Sequence, residues 1–186
     1  ELSTLSVDDA TRIIQFGLDK WHETIATKEY KSVLFFKNHG PMSGGSIRHP
    51  HSQIIGLRNY DYHEDITVKN MNGWLLHEDQ DIRITLSKHP IIGFFEYNLR
   101  YKPDAPVRSI AMRLQQTIRY VLDSLAKFSQ SYNYFFYQLE DGYEYIKVIP
   151  RYITTPLYVG YKIPQTCNDE RAAKILQNIT PYFELK

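Results

Sequence analysis

Several features that would settle the class of this chain are missing from it. It has one cysteine, Cys167, which excludes an internal disulfide framework and fits a reducing, cytoplasmic compartment. No apolar run approaches the roughly 18 residues that a spanning helix needs, so no membrane partner is expected. No signal peptide is visible. Excess charge is missing as well. The 22 Lys and Arg face 21 Asp and Glu with the signs dispersed, so there is no electrostatic reason to expect nucleic acid. The sequence opens at Glu1, without Met, directly into a helix-capping pattern, and reads as a chain that lacks its beginning. Tyrosine is abundant, at 15 of 186 residues. Most of these should cover sheet faces, with a few free to stack on a base or a sugar. A hydrophobic content of 42% against 23% charged residues describes a soluble globular chain with one good core or two small ones.

The pattern along the chain is mixed α+β. Ser6 caps a first helix whose apolar face is Ala10, Ile13, Ile14, Leu18, Trp21 and Ile25. His22 lies off that stripe and is read as solvated. A strand is expected from Ser32 to Lys37, then a glycine-rich loop, then a strand reaching Leu57. Residues 58–73 are polar, and Asp61, His63, Glu64 and Asp65 are read as a solvated loop rather than a metal site. Strands are expected at 74–77, 82–86 and 91–99, the last containing a single acid, Glu96. A second helix runs from Val107 to Phe128. Strands at 132–139 and 143–151 follow, joined by Glu140-Asp141-Gly142, a strong hairpin signal. An irregular tail precedes a short helix over 168–179.

The chemistry concentrates in one stretch, Asn38-His39-Gly40-Pro41-Met42-Ser43-Gly44-Gly45-Ser46-Ile47-Arg48-His49-Pro50-His51-Ser52-Gln53. Alternation along a strand sends His49, His51 and Gln53 to one face. Gly44 and Gly45 let backbone N–H groups approach a phosphate, Ser46 adds a hydroxyl, and Lys37 or Arg48 adds charge. A neutral imidazole is a good nucleophile near neutral pH, so the set points to histidine attack on phosphorus.

This stretch resembles the signature of the galactose-1-phosphate uridylyltransferase branch of the histidine-triad (HIT) superfamily. The matching positions are Asn38, Gly44-Gly45-Ser46 and His49-Pro50-His51-Ser52-Gln53. The resemblance implies a HIT-like antiparallel sheet with helices. It makes His51 the nucleophile that takes up a nucleoside monophosphate, oriented by the carbonyl of His49. Gln53, Ser46, Asn38 and the glycine loop become the phosphate contacts. Some relatives use the first histidine as a zinc ligand beside a Cys-x-x-Cys and a further His, which this chain lacks. His49 would then bind structural zinc only if a segment before Glu1 supplied the other ligands, since such sites need about four. No other cofactor is implied.

Histidine-triad hydrolases usually carry a third His where Gln53 stands. An amide holds phosphate but cannot shuttle protons, which favours transfer to a phosphate acceptor over hydrolysis. The expected activity is nucleotidyl transfer from a nucleotide-sugar to a sugar 1-phosphate. The alternatives are a dinucleoside polyphosphate phosphorylase or hydrolase, and a non-catalytic nucleotide-binding protein. The family also implies a homodimer and two pseudo-repeated halves. Residues 1–60 form the first half with the signature. Residues 61–186 form a second, degenerate half with the C-terminal helix. Phe35-Phe36-Lys37-Asn38 parallels Phe135-Phe136-Tyr137-Gln138, and Tyr145 and Lys147 stand near the places of the histidines.

Overall fold

The first helix forms where the sequence caps it. The Ser6 hydroxyl accepts the Asp9 N–H at 3.1 Å, and Asp8 and Asp9 sit in the electropositive first turn. This helix, α1 (Val7–Ala26), is followed by α2 (Val68–Met71), α3 (Val107–Leu125) and α4 (Asn168–Glu184). The strands are β1 (Ser32–His39), β2 (Ser52–Leu57), β3 (Gly73–Glu78), β4 (Ile82–Ser87), β5 (Tyr97–Tyr101), β6 (Ser131–Gln138) and β7 (Glu144–Arg151). This computed structural model describes residues 1–45, 47, 49–93, 95–127, 129–153, 156–157 and 168–184. Ser46, Phe128, Cys167 and most of the irregular tail therefore lie outside the described residues.

All seven strands form one antiparallel open sheet in the order β2-β1-β6-β7-β5-β4-β3. The strands of the first sixty residues join the rest of the sheet through β1 and β6. Alternation sorts the side chains to two faces. One face packs against α1, α3 and α4, where Ile14, Leu18 and Trp21 meet Phe35, Phe136 and Ile146. Trp21 Nε1 donates to the Val33 carbonyl at 2.9 Å and ties α1 to β1. The Arg113 guanidinium, 2.7 Å from Asp79, ties α3 to the β3–β4 turn. The second face is partly covered by residues 62–71, whose Tyr62 and Met71 pack with Tyr137, Leu139 and Tyr145. Among the described residues no helix is long and apolar enough to cross a membrane.

Four local readings of the sequence change here. The strand expected over 91–99 begins only at Tyr97. The Glu96 carboxylate accepts the N–H groups of Ile91, Ile92 and Gly93 at 2.8, 2.6 and 3.0 Å, which curls that segment around it. Glu96 also pairs with Lys147 at 3.1 Å, both side chains fully buried, as an interior charge requires. The strand after the glycine loop starts at Ser52, so alternation does not reach His49 or His51. His22 is not free in solvent: its Nε2 lies 2.7 Å from the buried Glu144 carboxylate. Finally, the C-terminal helix runs on to Glu184 and buries Phe183.

The two aromatic runs that read alike in the sequence lie on neighbouring strands, β1 and β6. Phe35 lies opposite Phe136 and Phe36 opposite Phe135. Phe35 and Phe136 point to the helices, whereas Phe36 and Phe135 stack on the other face with centroids 5.9 Å apart. A correspondence that preserves faces therefore matches Phe36 with Phe135, one residue away from the match suggested by Phe35-Phe36 and Phe135-Phe136. Gln53 pairs with Phe36 and Lys147 with Phe135, so the two side chains flank this ring pair on the same face.

Candidate active site

The glycine loop leaves the end of β1, and its shape is set by β6. Gly40 has φ +78°, and a Cβ there would lie 2.3 Å from Ser131 Oγ, so no other residue fits. The same Ser131 hydroxyl accepts the Met42 N–H at 3.0 Å. The Ser43 hydroxyl donates to the Gly40 carbonyl at 2.7 Å. Gly44 has φ +81°, again in the left-handed region. A Cβ on Gly45 would come within 3.1 Å of Asn38 Cβ, so the loop folds back over the Asn38 side chain.

Asn38 is held by a chain of bonds on the face away from the helices. Asn133, its partner in the β1–β6 register, donates from Nδ2 to Asn38 Oδ1 at 2.6 Å and to the Ser43 carbonyl at 3.0 Å. Arg151 in turn donates to Asn133 Oδ1 at 2.9 Å. With its oxygen occupied, Asn38 offers the loop its Nδ2, a donor suited to a phosphate oxygen. Sequence reasoning missed Asn133 and Arg151. The available signal was an amide inside the aromatic run Tyr132-Asn133-Tyr134.

His51 has its Nδ1 2.7 Å from the His49 carbonyl. A carbonyl only accepts, so Nδ1 carries the hydrogen and the neutral ring keeps its lone pair on Nε2. Nε2 is then the ring nitrogen left without a hydrogen-bond partner among the described residues. Lys37 lies beneath, its Nζ 3.5 Å from the His51 carbonyl. Burial lowers the Lys37 pKa, and the Glu1 charge offsets part of that. Burial would raise the Glu1 pKa, but bonds from His39 and Tyr132 and the charge of Lys37 prevail and bring it down to about 2. His39 is therefore bound to Glu1, at 2.6 Å, and stacked on Tyr132. A cavity of about 130 Å³ beside His51 is bounded by Glu1, Lys37, Pro50, Ser52 and Tyr134. Gln53 is half-buried opposite Phe36, and its side chain makes no hydrogen bond among the described residues.

Asn38, Gly44 and Gly45 thus stand together where the loop leaves β1, His49 and His51 are joined to each other where it enters β2, and Gln53 follows on that strand. Among the described residues no three His, Cys, Asp or Glu side chains gather as metal ligands. His49 has no co-ligands there, and these residues do not fit a structural zinc. Asp61 and His63 of the acidic loop bond to each other at 2.5 Å.

The fold is shared with several solved proteins. A solved uridylyltransferase matches it with TM-score 0.73 and 17% identity, covering 97% of this chain and 72% of that one. An ADP-glucose phosphorylase from Arabidopsis thaliana, with ADP-glucose bound, matches with TM-score 0.72 and 14% identity over 95% of this chain and 67% of that one. At such identities the likeness is one of fold. A DUF4931 family protein from Bacillus cereus is far nearer, at TM-score 0.85 and 35% identity over 97% of this chain and 83% of that one. The sequence matches the domain of unknown function DUF4931, its N-terminal domain over residues 1–60 and its C-terminal domain over residues 63–183, and the chain belongs to this family. Among curated proteins none matches it.

Proposed function

We propose that this protein is a nucleotidyltransferase that works through a nucleotidyl-His51 intermediate. His51 Nε2 attacks the α-phosphorus of a nucleotide-sugar. An N–P bond forms, the bridging P–O bond breaks, and sugar 1-phosphate leaves. A second sugar 1-phosphate then attacks the same phosphorus, carries off the nucleotide and restores the imidazole. The backbone N–H groups of Gly44 and Gly45, the Asn38 and Gln53 amides and Ser46 hold the phosphate oxygens as charge builds on them. The His49 carbonyl steadies the positive ring while the adduct lives. Gln53 cannot relay a proton to water, which favours a phosphate acceptor.

The observation that carries this reading is the 2.7 Å contact of His51 Nδ1 with the His49 carbonyl, which frees Nε2 beside a glycine loop. The shared fold with a uridylyltransferase and an ADP-glucose phosphorylase supports it. The single cysteine supports a cytoplasmic setting, and the resemblance supports a homodimer, which light scattering of the purified chain would test. The chemical test is intact mass after incubation with a panel of nucleotide-sugars and dinucleotides. A gain of one nucleoside monophosphate, labile to acid and absent in His51→Ala, is expected. Nucleotide binding with no adduct from any donor would overturn the proposal. Discharge of the adduct by inorganic phosphate but not by sugar phosphates would make the enzyme a phosphorylase.

A further inference from the structure

The second half carries its own recess on the same face as Gln53. Crossing the sheet from Gln53, the paired positions are Phe36, Phe135, Lys147, Asn98 and Thr85. The neighbouring row runs Tyr145, Arg100, Arg83. Thr85, Asn98, Tyr145, Arg100, Arg83 and Asp141 line a cavity of about 280 Å³. It lies beside Lys147, as the histidine loop lies beside Gln53.

Two independent features of this cavity point to a ligand. Asn98 is 1% exposed, and its Nδ2 donates to the Met71 carbonyl at 3.0 Å and to Thr85 Oγ1 at 3.2 Å. These bonds fix the amide orientation, and Oδ1 is left buried without a partner. A buried acceptor without a donor is unfavourable, and a ligand hydroxyl would satisfy it. The second feature is a pair of like charges directly opposite on neighbouring strands, Arg83 and Arg100, an arrangement that is destabilising on its own. Arg83 is neutralised by Glu78 at 2.9 and 3.1 Å. The Arg100 guanidinium lies 4.4 Å from the Tyr143 ring centroid and has no hydrogen-bond acceptor among the described residues. The Asp141 carboxylate accepts the Tyr145 hydroxyl at 2.5 Å and the Tyr143 N–H at 3.2 Å, and it forms no ion pair with Arg100 among the described residues.

We propose that this cavity is a second binding site, specific for the phosphate monoester of a small polyol. Arg100, with Arg83 beside it, takes the phosphate in the forked geometry of a guanidinium. Asn98 Oδ1 accepts a hydroxyl of the polyol. The volume sits just below the usual range for small-molecule pockets, which suits a single sugar phosphate. The site binds without reacting, because Glu96 and the Asn70 carbonyl already hold the nearby Lys147 amine. The inference does not depend on the chemistry at His51.

The test is calorimetric titration of glucose 1-phosphate, inorganic phosphate and glucose into the full chain and four variants, with thermal melts to show that each variant folds. A binding event should persist in His51→Ala and Gln53→Ala and weaken at least about tenfold in Arg100→Ala. Arg83→Gln, on the adjoining strand, should weaken it about threefold or more and carries the test if Arg100→Ala does not fold. Inorganic phosphate should compete weakly, and glucose alone should not bind. Unchanged affinity in the arginine variants, loss of the event in Gln53→Ala, or no heat from glucose 1-phosphate at millimolar concentration would each overturn the proposal.

Discussion

Gln53 and Lys147 flank the Phe36–Phe135 stack on one face of the sheet, each paired with one member of it. Gln53 is half-buried and uncommitted among the described residues. Lys147 is fully buried and bonded to Glu96 and to the Asn70 carbonyl. The difference follows from charge. A neutral amide can wait at a surface for a ligand, whereas an ammonium in the interior must find a counter-charge or lose its proton. Burial indeed lowers the Lys147 pKa, and Glu96 opposes that shift. Gln53 thus stays uncommitted beside the histidine loop, while Lys147 is committed to its own packing and leaves Arg100 and Asn98 nearby with bonding capacity unmet.

Substitutions can break this contrast, beginning where the effect is largest. His51→Ala should slow adduct formation by on the order of 10³-fold or more, the scale for loss of a nucleophile. His77→Gln in the second half should change it less than about twofold. Stopped-flow or timed intact-mass measurements would register both. For stability the contrast reverses. Lys147→Met should cost about 3–5 kcal/mol in urea unfolding, because it strands the Glu96 carboxylate, whereas Gln53→Met should stay within about 1 kcal/mol. Equal costs would show that the two positions are not used differently.

A third substitution crosses the boundary between the halves. Asn133 belongs to β6 but bonds Asn38, the Ser43 carbonyl and Arg151. Asn133→Ala should destabilise by about 1–3 kcal/mol and slow adduct formation by roughly tenfold through misplacement of the loop. Full activity in this variant would separate the loop from β6. The smallest expected effect is at His22. Its bond to Glu144 raises its pKa, with Asp19 adding to the rise and burial opposing it. The stabilisation is complete below the ordinary value of 6.5 and is lost as pH rises through the elevated folded value. Unfolding midpoints should therefore fall more between about pH 6 and about pH 8 in the native chain than in His22→Gln. Parallel curves for the two would remove His22 from the pH response.

What could be read directly from the chain was local. Ser6, Asp8 and Asp9 announce α1, Asp141-Gly142 announces the β6–β7 hairpin, and the Gly44-Gly45 loop before His49 and His51 announces the candidate site. What could not be read depends on pairs far apart in sequence. Nothing near Glu96 shows that Lys147 will meet it, so an apolar run with one acid resembled a strand. Asn133 reaches Asn38 across the sheet and has no local motif. Phe35-Phe36 and Phe135-Phe136 look alike as text, and only the face that each ring takes shows that Phe35 shares one with Phe136 and Phe36 with Phe135.

The β1–β6 joint has a consequence for how the protein is made. The residues of β1 leave the ribosome long before those of β6, with only β2 available to pair. Until residue 138 has emerged, the β1 edge that ends in the histidine loop stays open, carrying Phe35 and Phe36 with unpaired backbone groups. Such an edge invites pairing with other chains. Biosynthesis of this protein therefore has a vulnerable interval, which closes when β6 docks and completes the support of the loop in the same step.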